Sequence, residues 1–288
     1  MRLFARGRHV CAWLISGPHR GKQACPEVRV SGRSLSLLQS NTPNPACQAI
    51  TILNNRTSND TECQRCGACC LKGGPGLHEA DASLFHGPEA LELSFVVTFR
   101  AGEPVHDQVR GRIAPLEREM LKLRPLPGAT ACAHYNHKAR ACALYQRRPL
   151  ECRTLSCRDT SALAEMYDKA RLRRSDLLPQ GHPVLAVMAE HEALVPVARI
   201  AGLAAAFLAG GPQAKKAEEE LTRMALCDQA FRQKLTQLAN IGPEYHDFFF
   251  GRDASALFAA AGLSLRPDAR LGFRVQPDPL CTAPLWRT

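Results

Sequence analysis

Residues 63–70 read Cys63-Gln64-Arg65-Cys66-Gly67-Ala68-Cys69-Cys70, three thiols at two-residue intervals with a fourth directly after them. A C-x2-C spacing lets two thiolates bend around one ion, and Gly67 supplies the positive φ that such a turn needs. A second thiol-bearing stretch follows, with Cys132, Cys142, Cys152 and Cys157 separated by nine, nine and four residues. These intervals match no standard zinc finger, and they suit separated loops that converge on metal. Of the 13 cysteines, only Cys11, Cys25, Cys47, Cys227 and Cys281 lie outside the two segments. A chain of 288 residues with 45% apolar content buries a normal core without cysteine cross-links, so this clustering points to ligation.

The first segment matches the opening C-x2-C-x2-C of the bacterial ferredoxin run and then departs from it, because Cys70 stands where three spacer residues would precede Cys-Pro. It is not the C-x3-C-x2-C of radical enzymes either. Neighbouring side chains usually diverge, so Cys69 and Cys70 are expected to serve different sites, or one of them to face the core. Arg148 and Arg153 flank the second segment, where a guanidinium lowers thiolate pKa values and donates charged hydrogen bonds to sulfur. His78, His106, His134 and His137 are alternative ligands, with His78 first among them because it follows the glycine turn beside Glu79 and Asp81. The bland reading is a set of reduced core thiols. The polar surroundings Glu62, Gln64, Arg65 and Lys72 argue against it.

Working outward, residues 1–60 carry eight arginines and lysines against two acids and are punctuated by Gly and Pro. They read as a disordered basic arm, a transit peptide or a mis-assigned start. Residues 61–159 form the cysteine-cluster domain, in which Leu91–Phe99 is rich in strand formers and Ile113–Lys122 reads as a helical turn with Glu117 and Glu119 in solvent. Residues 160–288 recur in apolar character every three or four positions over 161–178, 183–209, 213–241 and 253–261, which predicts helices packed on or appended to the cysteine domain. The fold class expected is mainly α, with a small irregular α+β cysteine-rich metal-binding core.

The sequence CQRCGACC, the KGGPGLHEAD after it and the later CAHY…CALYQRRPLECRTLSC resemble the YkgJ family of cysteine-cluster proteins, a CxxCxxCC group regarded as zinc- or iron-chelating. The resemblance spans residues 63–159. It implies a bacterial cytoplasmic protein whose metal ligands are Cys63, Cys66, Cys69, Cys70, Cys132, Cys142, Cys152 and Cys157, with Tyr145, Arg148, Pro149 and Arg153 around them.

The function expected is metal binding through clustered cysteines, with an iron–sulfur cluster favoured over zinc because three sulfurs at x2 spacing and extra cysteines suit a cluster. Two alternatives are a metal-assisted protein-modifying enzyme similar to flagellin lysine-N-methylase, and a structural zinc module for protein interaction. The chain shows no glycine-rich nucleotide loop or S-adenosylmethionine motif. A net charge of +10 is concentrated before residue 60, which argues against nucleic acid as partner and leaves another protein. The most apolar window, 193–209, is interrupted by Pro196 and Arg199, so no membrane span is expected. Asn55-Arg-Thr and Asn59-Asp-Thr are read as coincidental sequons.

Overall fold

The computed structural model describes Cys63, residues 65–270 and residues 272–279. The expectations for the basic arm, its start and its sequons lie outside these residues. About 44% of the described residues are helical and the rest include small antiparallel sheets, so the class is mixed α+β. The described residues fall into two compact units, one running to Leu185 and adding Glu244–Arg252, the other formed by Ala186–Pro243 and the residues from Asp253 onward.

The first unit is built on two-stranded antiparallel pairs. Strand β1 (Val96–Phe99, VVTF) is short, β-branched and aromatic, as a pleated buried surface requires. Its neighbours in sequence are a hairpin of β2 (Pro104–Asp107) and β3 (Arg112–Pro115). The partner of β1 is β4 (Met120–Leu123), with Val96 opposite Leu123 and Phe99 opposite Met120. The other edge of β4 takes the glycine loop, since Leu77 N–H donates to the Leu121 carbonyl and Leu123 N–H to the Pro75 carbonyl. A third pair, β5 (Tyr135–Asn136) with β6 (Ala141–Cys142), carries a cysteine.

The helical turn expected at Ile113–Lys122 is therefore incorrect: β3 and β4 occupy its ends. Met120, Leu121 and Leu123 are buried on both faces of their strand, and a run buried on both sides shows no period that separates strand from helix. Glu119 is not in solvent either. It accepts from the backbone N–H of Arg174 at 2.8 Å and from its Nε at 2.9 Å.

Two short helices, α1 (Leu150–Thr154) and α2 (Ser161–Met166), follow the strands. The helix expected over 161–178 stops at Met166, and Arg174–Asp176 forms a separate 3-10 turn held by Glu119.

In the second unit, the helical stretch from α3 (Val184–Leu194) to α4 (Ile200–Ala209) breaks at Val195–Pro196, where Pro196 is extended. The stretch Val184–Ala209 is 26 residues long with a hydropathy of 1.6 and is the one candidate span among the described residues. This single break-interrupted stretch is not enough to make a membrane protein. Helix α5 (Ala214–Ala239) buries Leu221, Met224, Ala225, Phe231 and Leu235 at helical spacing and ends on left-handed Asn240. Leu238, in the last turn of the same helix, is exposed. Cys227, on the same face as the core, is fully buried and disulfide-bonded.

Returning to the first unit, α6 (His246–Phe250) packs on β1, with Thr98 Oγ1 donating to the Phe248 carbonyl at 2.7 Å. Back in the second, α7 (Ala254–Ala260) starts at Asp253, whose side chain accepts from Ala256 N–H. The chain then turns into a β7 (Leu263–Asp268) and β8 (Gly272–Pro277) hairpin that the helical reading of 160–288 does not contain.

One buried charge organises this unit. Asp228 of α5 accepts from His191 Nε2 at 2.9 Å, from Arg232 Nε at 3.0 Å and from the Ala254 backbone N–H at 3.0 Å. Burial alone would raise its pKa. The His191 bond and Arg232 outweigh that and hold it near 2. A depressed carboxyl contributes stability above its ordinary value of 3.8 and loses it as the pH falls towards 2. We expect that contribution to be about 2 to 3 kcal/mol at neutral pH. Asp228→Ala should cost about 3 to 5 kcal/mol by stranding His191 and Arg232, as read by urea denaturation at pH 7.

Candidate metal centre

The eight cysteines of the two segments are all reduced. Cys63, Cys66, Cys69, Cys70, Cys142 and Cys152 are half-buried, Cys132 is buried and Cys157 is exposed. Gly67 turns the first segment with φ +80, and Leu71 N–H closes the turn on the Gly67 carbonyl at 2.9 Å. Cys70–Lys72 then form a 3-10 turn. The Cys70 carbonyl accepts from Cys132 N–H at 2.8 Å, which joins the two segments directly. Cys142 stands opposite Tyr135 in the β5–β6 pair, and Cys152 sits on α1.

The thiols sense one another. Burial pushes the Cys70 thiol up to about 12, and Cys69, Cys142 and Cys132 push in the same direction. Burial also raises Cys152, with further contributions from Cys69, Cys132, Cys142 and Cys70. Exposed Cys157 is raised by burial and then by Cys66, Cys69 and Cys63. All eight thus belong to one electrostatic set. The His134 backbone amide opposes this at Cys132, and the Leu144 amide and Arg148 oppose it at Cys142. Amide and guanidinium donors of this kind stabilise a thiolate.

The divergence expected of Cys69 and Cys70 is not found. Their Sγ atoms are 4.0 Å apart, within hydrogen-bonding distance for sulfur. Two sulfurs on one tetrahedral zinc at about 2.3 Å each are separated by about 3.8 Å, so this pair has the span of two ligands to one ion. Among the described residues no group of three Cys, His, Asp or Glu side chains is closed around a single point. The donors fit zinc or iron in kind and number, and the vicinal pair fits in distance.

Around the thiols lies a frame of polar contacts that the sequence does not announce. Asp81, fully buried, accepts from the Leu150 backbone N–H at 2.8 Å and from the His78 backbone N–H at 3.0 Å. Glu151 accepts from the Gly76 N–H at 2.6 Å and from Arg171 Nη1 at 2.7 Å. The ring of His78 donates from Nδ1 to the Lys169 carbonyl at 2.8 Å; since a carbonyl only accepts, Nδ1 carries the proton. Its Nε2 faces Arg171 Nη1 at 3.2 Å and Glu151 Oε1 at 3.4 Å. His78 therefore supports the helix that carries Cys152, with both ring nitrogens engaged. Burial opposes the Glu151 charge, but the His78 bond, Arg171 and the Gly76 amide together lower its pKa. Lys122 of β4 stands near the same pair, and burial pushes its ammonium pKa down with Glu151 opposing.

Tyr145 is covered by two guanidiniums, Arg65 at 3.8 Å and Arg148 at 4.1 Å from the ring centroid. Arg148 Nε also donates to the Tyr145 carbonyl, and Arg153 Nη1 to the Arg148 carbonyl. Arg153 thus reaches the thiols only through Arg148. Of the other histidines, His134 stacks near Phe95 with its Nε2 buried and unpartnered, His137 meets the edge of Tyr135, and His106 is exposed on β2.

Sequence reasoning missed Arg65, Tyr135, Glu151 and Arg171. Only Glu151, the sole acid between Cys132 and Cys157, left a compositional signal.

Residues 62–170 match the CxxCxxCC family, described as a candidate zinc- or iron-chelating domain. No curated protein and no solved structure matches the chain.

A Cβ on Gly67 would fall 2.1 Å from Tyr135 Oη, in a ring that is 7% exposed. Gly67→Ala should therefore destabilise the unit by more than the about 1 to 2 kcal/mol of the left-handed backbone alone, and lower metal content. Glu151→Ala should cost about 3 to 5 kcal/mol by leaving Arg171 buried without its carboxylate. Thermal unfolding with parallel elemental analysis checks both.

Proposed function

With residues 62–170 carrying a CxxCxxCC domain, we propose that this chain is a thiolate metal-binding protein whose ligands are drawn from Cys63, Cys66, Cys69, Cys70, Cys132, Cys142, Cys152 and Cys157. The observation that carries this reading is the mutual elevation of the thiols. Burial, and then neighbouring thiols, make Cys70, Cys132, Cys142, Cys152 and Cys157 harder to ionise, and a cation relieves that penalty by neutralising several thiolates at once. Arg148 and Tyr145 support the Cys142 side, and Arg153 acts by holding Arg148.

Between the metals the reading favours an iron–sulfur cluster over zinc, because eight sulfurs exceed what one tetrahedral zinc uses. The reduced thiols suit a reducing, cytoplasmic setting. The disulfide at Cys227 counts the other way, since disulfides are rare in such a setting.

A purely structural zinc module is less well supported. Helix α1 is held by Asp81, Glu151 and Arg171 through contacts that involve no sulfur, and on this reading they keep it in place without metal. Cys152→Ser should therefore lose metal while keeping its far-ultraviolet circular dichroism. Collapse of the fold in that variant would restore the structural module.

Anaerobic purification followed by absorbance spectroscopy and elemental analysis tests the metal. A brown protein with iron and acid-labile sulfide is expected, and a colourless protein with stoichiometric zinc overturns the iron–sulfur reading. Because the thiols are raised, loading the apoprotein with either metal should release more than one proton per ion, measured with an indicator dye in weak buffer.

A further inference from the structure

The thiol-bearing loops are also the most one-sided in charge. Segments 63–78 and 132–158 together contain eight lysines and arginines and a single acid, Glu151, a local net charge of +7. Glu151 is turned inward and bound to Arg171, so it neutralises none of the outer cations. Arg65, Lys72, Lys138, Arg140 and Arg153 are exposed. Contacts between the loops hold these residues to one neighbourhood: Arg65 lies on Tyr145, Arg153 bonds the Arg148 carbonyl, and Thr130 Oγ1 bonds the Leu71 carbonyl beside Lys72. Lys138 and Arg140 occupy the turn between β5 and β6, whose Tyr135 ring packs over Gly67.

Among these cations Arg147 has a carboxylate, Glu89, at 3.6 Å, and outside the loops several exposed arginines are paired too. Arg110 pairs with Asp107 and Asp168, Arg173 with Asp176, and Arg199 with Glu220. Lys72, Lys138 and Arg140 have no carboxylate within ion-pair distance among the described residues.

Charge compensation of the thiolates does not use up the excess. A metal held by four thiolates carries roughly −2, so even two such sites leave about +2 on these loops once Glu89 is counted against Arg147. Beside Lys72 stands Leu71, 42% exposed, an apolar side chain that an approaching apolar group can cover. Base stacking is not offered, because Tyr145 is covered by guanidiniums and Tyr135 is buried. The longest helix on these loops, α1, has five residues, too few to read a groove.

We propose that the basic rim around the cysteine loops is a docking surface for an acidic protein segment that seats an apolar side chain against Leu71. Such a partner gains the uncompensated cations and excludes water at Leu71. The proposal depends on the position of the loops and is independent of the metal they hold.

The test uses the full chain as purified and a fluorescein-labelled peptide of alternating Glu and Asp around a central Leu-Leu pair, followed by anisotropy. Saturable binding that weakens at least ten-fold from about 50 to 200 mM salt is expected. Lys138→Glu with Arg140→Glu should weaken it ten-fold or more, whereas Lys215→Glu with Lys216→Glu on α5, an equal change in net charge, should change it less than two-fold. If the first pair loses metal, Lys72→Glu carries the same comparison. Absent wild-type binding, equal losses in both double variants, unchanged binding in Lys72→Glu, or tighter binding of a single-stranded oligonucleotide of matched charge would each overturn the proposal.

Discussion

The Glu151 carboxylate is the contact on which the cysteine unit depends. It joins three stretches of chain that are distant in sequence: the glycine loop through the Gly76 amide, α1 through its own backbone, and the segment after α2 through Arg171. A carboxylate so far removed from water is tolerable only with donors on both oxygens, which the Gly76 amide and Arg171 provide. The glycine is required by this approach. A Cβ on Gly76 would lie 2.3 Å from Arg171 Nη1 and 2.8 Å from Glu151 Oε1. Asp81 makes the complementary bond from the glycine loop to the start of α1. The two segments of sequence that bear the family resemblance are thus fastened to each other by carboxylates before any sulfur is considered.

The parts of this arrangement that were legible in the sequence are those set by local rules. The turn at Gly67 follows from C-x2-C spacing, α5 follows from its apolar recurrence, and α7 has Asp253 where a cap belongs. What was not legible depends on partners far along the chain. Strand β4 resembled a helical turn because its apolar residues face a sheet partner on one edge and the glycine loop on the other. Glu119 looked solvated until Arg174, 55 residues later, met it. The β7–β8 hairpin was absorbed into a helical reading because only Leu263 and Val275 of it reach the core. At the site, the candidate residues were named by type. Their roles came from contacts, as when His78 turned out to meet the Lys169 carbonyl with one nitrogen and the Glu151–Arg171 pair with the other.

Thiols and cations in this unit answer different demands. Inside, burial and mutual repulsion keep sulfur protonated, and a few donors, the Leu144 amide and Arg148 among them, favour the thiolate. Outside, the lysines and arginines are too far towards solvent to serve that purpose and set the field that an approaching molecule meets.

The 4.0 Å separation of the Cys69 and Cys70 sulfurs has a consequence for metal choice. Two soft donors at that span exert little size selection, and soft thiolate sites accept copper(I) as readily as zinc or iron. Thermodynamic preference within the chain would then favour the most thiophilic ion on offer. On the metal-binding reading proposed above, discrimination would fall to supply, to which metals the surroundings keep free and which they sequester.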